Sequence, residues 1–292
     1  MAILRAGLMA RHTMPAAVRA LAEAAAWLDA HECVPVIDKA SAVGLALNGK
    51  WPRAAREALP KSVDVVIAFG GDGTLLDAAR VVTHACADVP VLGVNLGHLG
   101  FLTEVSRDEL FAALEAWRSG ETRTETRLML VGRLRSGRTT TEHLALNDVV
   151  VSRGARSRMI EIDVTVDDQP VCHLKADGVI VASATGSTAY NLSAGGPIVH
   201  PEVDALVLTP IAPHTLTQRP LVLPASFSIA LRPVVEAPPA DILVTFDGQL
   251  AKTLGAGDVV TIHRASRPLR LVRTSMRTHF DMLREKLKWG ER

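Results

Sequence analysis

"SVDVVIAFGGDGTLLDAARVVTHACADVPVLGVN", residues 62–95, decides the fold of the first part of the chain. "SVDVVIAFGG" and "VPVLGVN" are short, nearly continuous apolar runs, and "LLDAARVVTHA" between them spaces its apolar residues at helical intervals. Apolar strands separated by a helix imply a parallel sheet covered on both faces. Upstream, "MPAAVRALAEAAAWLDAH" is an alanine-rich helical stretch, and "VPVID" is a further strand. Downstream, Ser106 and Glu109 make an S-x-x-E capping box and Gly120 supplies a stop, which predicts a helix over 107–119.

Beyond about residue 122 the pattern changes. "RLMLVGRL", "EHLALNDVVVSRG", "MIEIDVTV", "QPVCHL" and "GVIVAS" read as successive strands, with Asp167 and Asp168 at a hairpin turn. "SFSIALRP", "DILVTFDG", "DVVTIHRA" and "LRLVRT" follow as strands, and "HFDMLREKLKWG" closes the chain with helical periodicity. The expected organisation is a Rossmann-like α/β domain with a parallel sheet over 1–122 and a β-rich domain over 123–273. The helix within 274–292 is expected to pack back on the first domain, because its apolar stripe needs a partner.

The chain has 292 residues, 48% hydrophobic and 22% charged, with 32 basic against 31 acidic side chains. A net charge of +1 gives no global field for nucleic acid. Cys33, Cys86 and Cys172 are scattered and odd in number, which argues against a disulfide framework and fits a reducing compartment. No leader pattern and no run of roughly 18 apolar residues is visible, so a cytoplasmic protein without membrane contact is expected.

Four stretches carry chemistry. In "GGDGT", Gly70, Gly71 and Gly73 let a phosphate approach the backbone, and Thr74 is placed to cap the following helix, whose N-terminus favours an anion. This is neither a Walker motif nor GxGxxG. Asp72 beside phosphates has two uses, as a ligand for Mg²⁺ or as a base for an attacking hydroxyl. "NLGHLGFL", residues 95–102, is a second glycine-rich turn at the end of the next strand, the side on which ligands of such sheets gather. Its His98 reads as structural or packed against a ligand rather than as catalytic.

In "LNDVVVSRG" the pair Asn147 and Asp148 offers an amide suited to a purine edge and a carboxylate suited to a ribose diol, or simply an Asx turn. "LKADGVIVASATGSTAYNLSAGGPIVHP", residues 174–201, crowds Thr185, Ser187, Thr188, Tyr190, Asn191 and Ser193 together, a density of small donors and acceptors that suits a ligand floor. Ser187 lacks the G-x-S-x-G spacing of a nucleophilic hydrolase.

"GGDGT", "NLGHLGFL", "LNDVVV", "ADGVIVASATGSTAYNLSAGGPI" and "FDGQ" occur in the order and spacing of bacterial NAD kinases, which the chain resembles from about residue 60 to its C-terminus. The GGDG turn also occurs in diacylglycerol kinases, sphingosine kinases and phosphofructokinases, but the "DG…TGSTAY…SAGGP" block separates NAD kinases from them. The resemblance implies transfer of the ATP γ-phosphoryl group to the 2′-hydroxyl of the adenosine ribose of NAD, with Mg²⁺ or another divalent metal accompanying ATP. It implies Asp72 as catalytic base, with Gly73 in the same turn. Asn147 and Asp148 would contact adenosine, and Asp177 the nicotinamide end. Thr185, Thr188, Ala189, Tyr190 and Ser193 match the adenosine pocket, and Asn191 is expected among the NAD-binding residues. Lys175, Arg158, Ala212 and Gln249 match further contacts. A homodimer or homotetramer is also implied. Ala184 stands where relatives usually carry proline, and the basic Lys175 inclines the expectation to NAD over NADH.

Overall fold

The computed structural model describes residues 3–43, 50–97, 100–154, 159–235, 241–274 and 277–289. Contacts divide the chain into two units, Met1–Thr126 with Leu269–Arg292, and Arg127–Pro268. The first unit opens with β1 (Arg5–Ala10), α1 (Pro15–Ala30), β2 (Val34–Asp38) and β3 (Arg53–Ala54), then β4 (Val65–Gly70), α2 (Asp72–His84) and β5 (Val91–Asn95). β6 (Val105–Ser106), α3 (Leu110–Ser119) and β7 (Arg123–Arg127) complete its first pass.

The second unit holds β8 (Leu130–Ser136), β9 (Thr139–Ala145), β10 (Asp148–Arg153), β11 (Ile160–Val166), β12 (Gln169–Ala176) and β13 (Gly178–Ser183). A 3₁₀ turn at Thr185–Thr188 leads to α4 (Tyr190–Ser193), then β14 (Ala205–Ile211), β15 (Leu221–Pro224), β16 (Ile229–Val234), β17 (Ile242–Phe246), β18 (Leu250–Leu254) and β19 (Val259–Arg264). The chain then returns to the first unit as β20 (Leu269–Arg273) and α5 (His279–Leu287).

In the first unit the strands run in the order β3-β2-β1-β4-β5-β20-β7, with β6 beside β5. β1, β2, β3, β4, β5, β6 and β20 are joined by parallel pairings. β4 and β5 are buried at every position, which their Val, Ile and Leu runs require once helices cover both faces. α1 starts on Pro15 and buries Ala17, Ala20, Leu21, Ala24, Ala25 and Leu28, a helical stripe of mostly small side chains. The strand order reverses between β1 and β4, so the carboxyl end of β4, where "GGDG" begins, lies at a topological switch point.

The second unit consists of two six-stranded sheets, β15-β14-β13-β10-β17-β18 and β12-β11-β16-β19-β8-β9. Val149, Val179, Leu206 and Phe246 of one share a core with Leu130, Ile162, Ile229 and Ile262 of the other. Asp167 and Asp168 both take positive φ, +46° and +64°, in the hairpin between β11 and β12. Among the described residues no helix is long and apolar enough to cross a membrane.

Three local expectations are corrected. The third helix begins at Leu110 rather than 107, because Glu109 accepts from the Ser106 N–H (2.9 Å) and hydroxyl (2.7 Å) and holds a turn ahead of the helix. "EHLALNDVVVSRG" is two strands, β9 and β10, broken at Leu146 and Asn147 by bonds to a distant carboxylate described below. "LRLVRT" supplies β20, which pairs with β5 through Leu271 and Val91 in the first unit's sheet.

Candidate functional site

In the first unit the site is built around Asp72. Gly71 is the N-cap of α2 and Asp72 its first residue, so the carboxylate leaves the helix at the end of β4. It does not cap its own helix, and neither does Thr74, whose hydroxyl instead lies over Gly70 where a Cβ would collide with it. The Asp72 carboxylate accepts from the loop after β5. The Phe101 N–H donates to Oδ2 (2.9 Å), and Oδ1 receives the N–H groups of Leu102 (3.2 Å) and Thr103 (3.0 Å) and the Thr103 hydroxyl (2.9 Å). A Cβ at Gly100 would strike the carboxylate. The group that approaches this glycine is therefore the chain's own aspartate.

A further layer orients this cradle. Asn95, buried at the end of β5, donates from Nδ2 to the Thr103 hydroxyl (3.1 Å) and accepts the Gly97 N–H on Oδ1 (2.8 Å). With Thr103 Oγ1 accepting from Asn95, its proton is directed to Asp72. Three donors converge on Oδ1 and one on Oδ2, so Oδ2 keeps the open acceptor position on a half-buried carboxylate. Donated backbone dipoles also offset the charge that would otherwise repel a phosphate.

In the second unit three distant segments meet at Asn147. Asp247, in the turn between β17 and β18, accepts the N–H groups of Leu146 (2.9 Å), Asn147 (2.7 Å) and Asp148 (3.1 Å). From the other side Ser183 donates its N–H to the Asn147 carbonyl (2.9 Å) and its hydroxyl to that of Leu146 (2.5 Å). Gly186 sits so close that a Cβ would overlap the Asn147 backbone. Asp148 is 4% exposed, and its carboxyl is pushed up to about 7 by burial and, after that, by the Asp247 charge.

The polar stretch 185–193 divides by environment. Ser187 donates to the Ala184 carbonyl (2.7 Å) and accepts the Val199 N–H (3.0 Å). Asn191 is fully buried, with Nδ2 on the Ser187 (2.9 Å) and Pro197 (3.0 Å) carbonyls and Oδ1 accepting from Thr209 (2.6 Å). These two side chains fasten the loop and have their polar atoms engaged within it. Thr188, Ala189, Tyr190 and Ser193 face outward to differing degrees, Tyr190 being 47% exposed. Thr185 is 6% exposed, and its hydroxyl oxygen is buried with no partner among the described residues.

Asp177, between β12 and β13, receives Arg153 on both oxygens (Nε 2.7 Å, Nη2 3.3 Å), and that pairing pushes the guanidinium further up. Lys175 is exposed and paired with Glu161 (2.9 Å). The Ile211 carbonyl accepts from Asp177 N–H (3.0 Å) and the Lys175 carbonyl from His214 N–H (2.9 Å), which brackets Ala212 at φ +43° beside both residues. Such a backbone costs an L-residue roughly 1–2 kcal/mol. Gln249 is exposed two residues after Asp247. Arg158 and His98 lie outside the described residues.

Asn95, Thr103, Arg153 and Asp247 escape the sequence reading. A signal exists for two of them: Asn95 ends a buried strand shortly before a glycine, and Asp247 precedes Gly248 in a D-G hairpin turn.

The family model for the ATP-NAD kinase N-terminal domain matches residues 9–122, and that for the ATP-NAD kinase C-terminal domain matches residues 146–274. NAD kinase of Geobacter metallireducens is 42% identical over 267 residues, covering 91% of this chain and 92% of the relative. NAD kinase of Syntrophotalea carbinolica is 43% identical over 291 residues, 99% of each. Among solved structures, yeast NADH kinase complexed with NADH superposes with a TM-score of 0.87 at 25% identity, over 99% of this chain and 89% of that one. An NAD kinase from Archaeoglobus fulgidus in complex with ATP gives 0.76 at 25% identity, over 98% and 99%.

Proposed function

The chain belongs to the NAD kinase family, and from that footing we propose that its Asp72 Oδ2 receives the proton of the NAD 2′-hydroxyl as ATP phosphorylates it. The enzyme is an NAD kinase. The single observation behind the assignment of Asp72 is the cradle: a carboxylate fixed by four donors with one acceptor position left open. As the hydroxyl proton passes to Oδ2, the ribose oxygen bonds to the γ-phosphorus and the bond to the β–γ bridging oxygen breaks, releasing ADP. Phosphoryl transfer asks chiefly for position and charge compensation, and a cradle immobilising the acceptor at both oxygens answers the first demand. Gly70, Gly71, Gly73 and Thr74 form the phosphate-facing turn at the N-terminus of α2, where helix polarity favours an anion.

Asn147 and Asp148 are assigned to the adenosine part of NAD. Lys175, Asp177, Ala212 and Gln249, with Arg158, are assigned as further contacts. Thr185 contributes the buried hydroxyl that lacks a partner among the described residues, Thr188, Ala189, Tyr190 and Ser193 the open rim, and Asn191 the internal fastening of that loop. Mg²⁺ would be carried by the triphosphate and water rather than by a dedicated protein cage. Bound in that way, the ion would offset phosphate charge during transfer. A homodimer or homotetramer in the cytoplasm completes the reading, and light scattering after gel filtration tests the assembly.

The test is NADP formation by the purified protein from NAD and ATP–Mg²⁺, beside a diacylglycerol acceptor. NADP without lipid phosphate is expected. Lipid phosphorylation without NADP, or nucleotide binding with neither product, would overturn it.

A further inference from the structure

The loop that cradles Asp72 is itself held from behind by one buried guanidinium. Glu104 follows Thr103 directly, is 6% exposed, and pairs with Arg273 at the end of β20, whose side chain is 11% exposed. The same Arg273 reaches Glu125 on β7 through Nε (3.3 Å) and the Arg277 carbonyl, just ahead of α5, through Nη2 (2.9 Å). Burial lowers the pKa of Arg273, the direction expected when a cation is taken out of water. One planar fork thus joins the cradle loop, the strand by which the chain leaves the first unit, the strand by which it returns, and the lead into the last helix.

We propose that Arg273 and Glu104 are positioning residues for phosphoryl transfer, fixing the Phe101–Thr103 donors against Asp72. This rests on the reading of Asp72 given above. The route is short. Thr103 delivers two of the four bonds to the carboxylate, and Glu104 is its covalent neighbour. A guanidinium fixes three acceptors in set directions, whereas a lysine ammonium is a point charge that cannot hold the same geometry. Arg273→Lys therefore keeps the charge and loses the alignment. Such misplacement of an acceptor can cost on the order of 10²-fold in rate.

The experiment compares wild type, Arg273→Lys, Glu104→Gln and Arg270→Gln by steady-state kinetics and amide hydrogen exchange. Arg270 lies on the same strand, and its pair with Asp88 is exposed, so that variant serves as the control. Arg273→Lys and Glu104→Gln are expected to lower kcat by on the order of 10²-fold with KM for NAD within about twofold. They should also speed exchange of the Phe101, Leu102 and Thr103 amides while β4 stays protected. Arg270→Gln should behave as wild type. Unchanged kcat and protection in both variants would overturn the proposal, as would a loss of protection spread evenly through β4 and β5. If wild type makes no NADP, or Asp72→Asn turns over normally, the reading of Asp72 fails instead, and the exchange pattern still decides whether Arg273 holds the loop.

Discussion

Asp148→Asn should change how stability depends on pH, and the sign follows from burial. The folded carboxyl is pushed up to about 7, against an ordinary value of 3.8, by desolvation first and Asp247 second. Between roughly pH 4 and pH 7 the folded protein therefore holds a proton that the unfolded chain has released. Stability from this group is fully present below pH 4 and is lost as pH rises through 7, at about 1.4 kcal/mol per pH unit. Over the whole window that amounts to about 4 kcal/mol, of which roughly 2 kcal/mol falls between pH 5 and pH 7. The amide that replaces the carboxyl in the variant cannot titrate, so the stability of wild type relative to the variant should decline by that amount and level off above pH 7. All four tryptophans, Trp27, Trp51, Trp117 and Trp289, lie in the first unit, whereas Asp148 lies in the second. Urea unfolding followed by far-UV circular dichroism is therefore the assay, at half-unit steps from pH 5 to pH 8. A wild-type-minus-variant difference that stays flat, or rises with pH, would refute the argument.

Gly100→Ala should lower kcat on the order of 10²-fold, since its Cβ would strike the Asp72 carboxylate; steady-state assay checks it, and a Thr103→Ala control separates loop displacement from loss of one hydroxyl. Thr103→Val removes one donor to Asp72 and one acceptor of Asn95 Nδ2, a loss of about 1–2 kcal/mol in thermal unfolding. Gly186→Ala should destabilise the second unit by about 1–3 kcal/mol, because the added methyl meets the Asn147 backbone, and denaturant melts read the shift. If the Asp148 carboxylate grips a ribose diol as the anion, NAD affinity should strengthen as pH rises through about 7, and titration calorimetry in buffers of different ionisation heat should detect a released proton.

The parallel unit is legible because βαβ grammar is local: β4, α2 and β5 each announce themselves by period, and glycines mark the turn between the first two. β1 escapes the sequence because "RAGLMA" is short and mixes glycine and alanine with few β-branched residues, yet five of its six positions are buried between β2 and β4. β14, "ALVLTPI", escapes for a different reason, since its proline speaks against a strand interior until the antiparallel partner is known. At the site, Asp72 is legible from its glycines, but its donors come from residues 29 to 31 positions away and no periodicity links them. Likewise the break between β9 and β10 is imposed by Asp247, about a hundred residues downstream. Arg273 lies at the end of a strand that the sequence assigns to the other domain, and only the sheet order reveals that it backs the cradle.

The most direct measurement is turnover and NAD affinity of Asp72→Asn beside wild type. Asparagine still accepts on Oδ1 but turns an amide donor toward the Phe101 N–H, so a stability loss of about 1–3 kcal/mol accompanies the change. With Asp72 as the base, kcat should fall by about 10²–10⁴-fold while the Kd for NAD stays within about threefold. A variant that unfolds no differently and makes NADP at a rate within about tenfold of wild type would contradict that role.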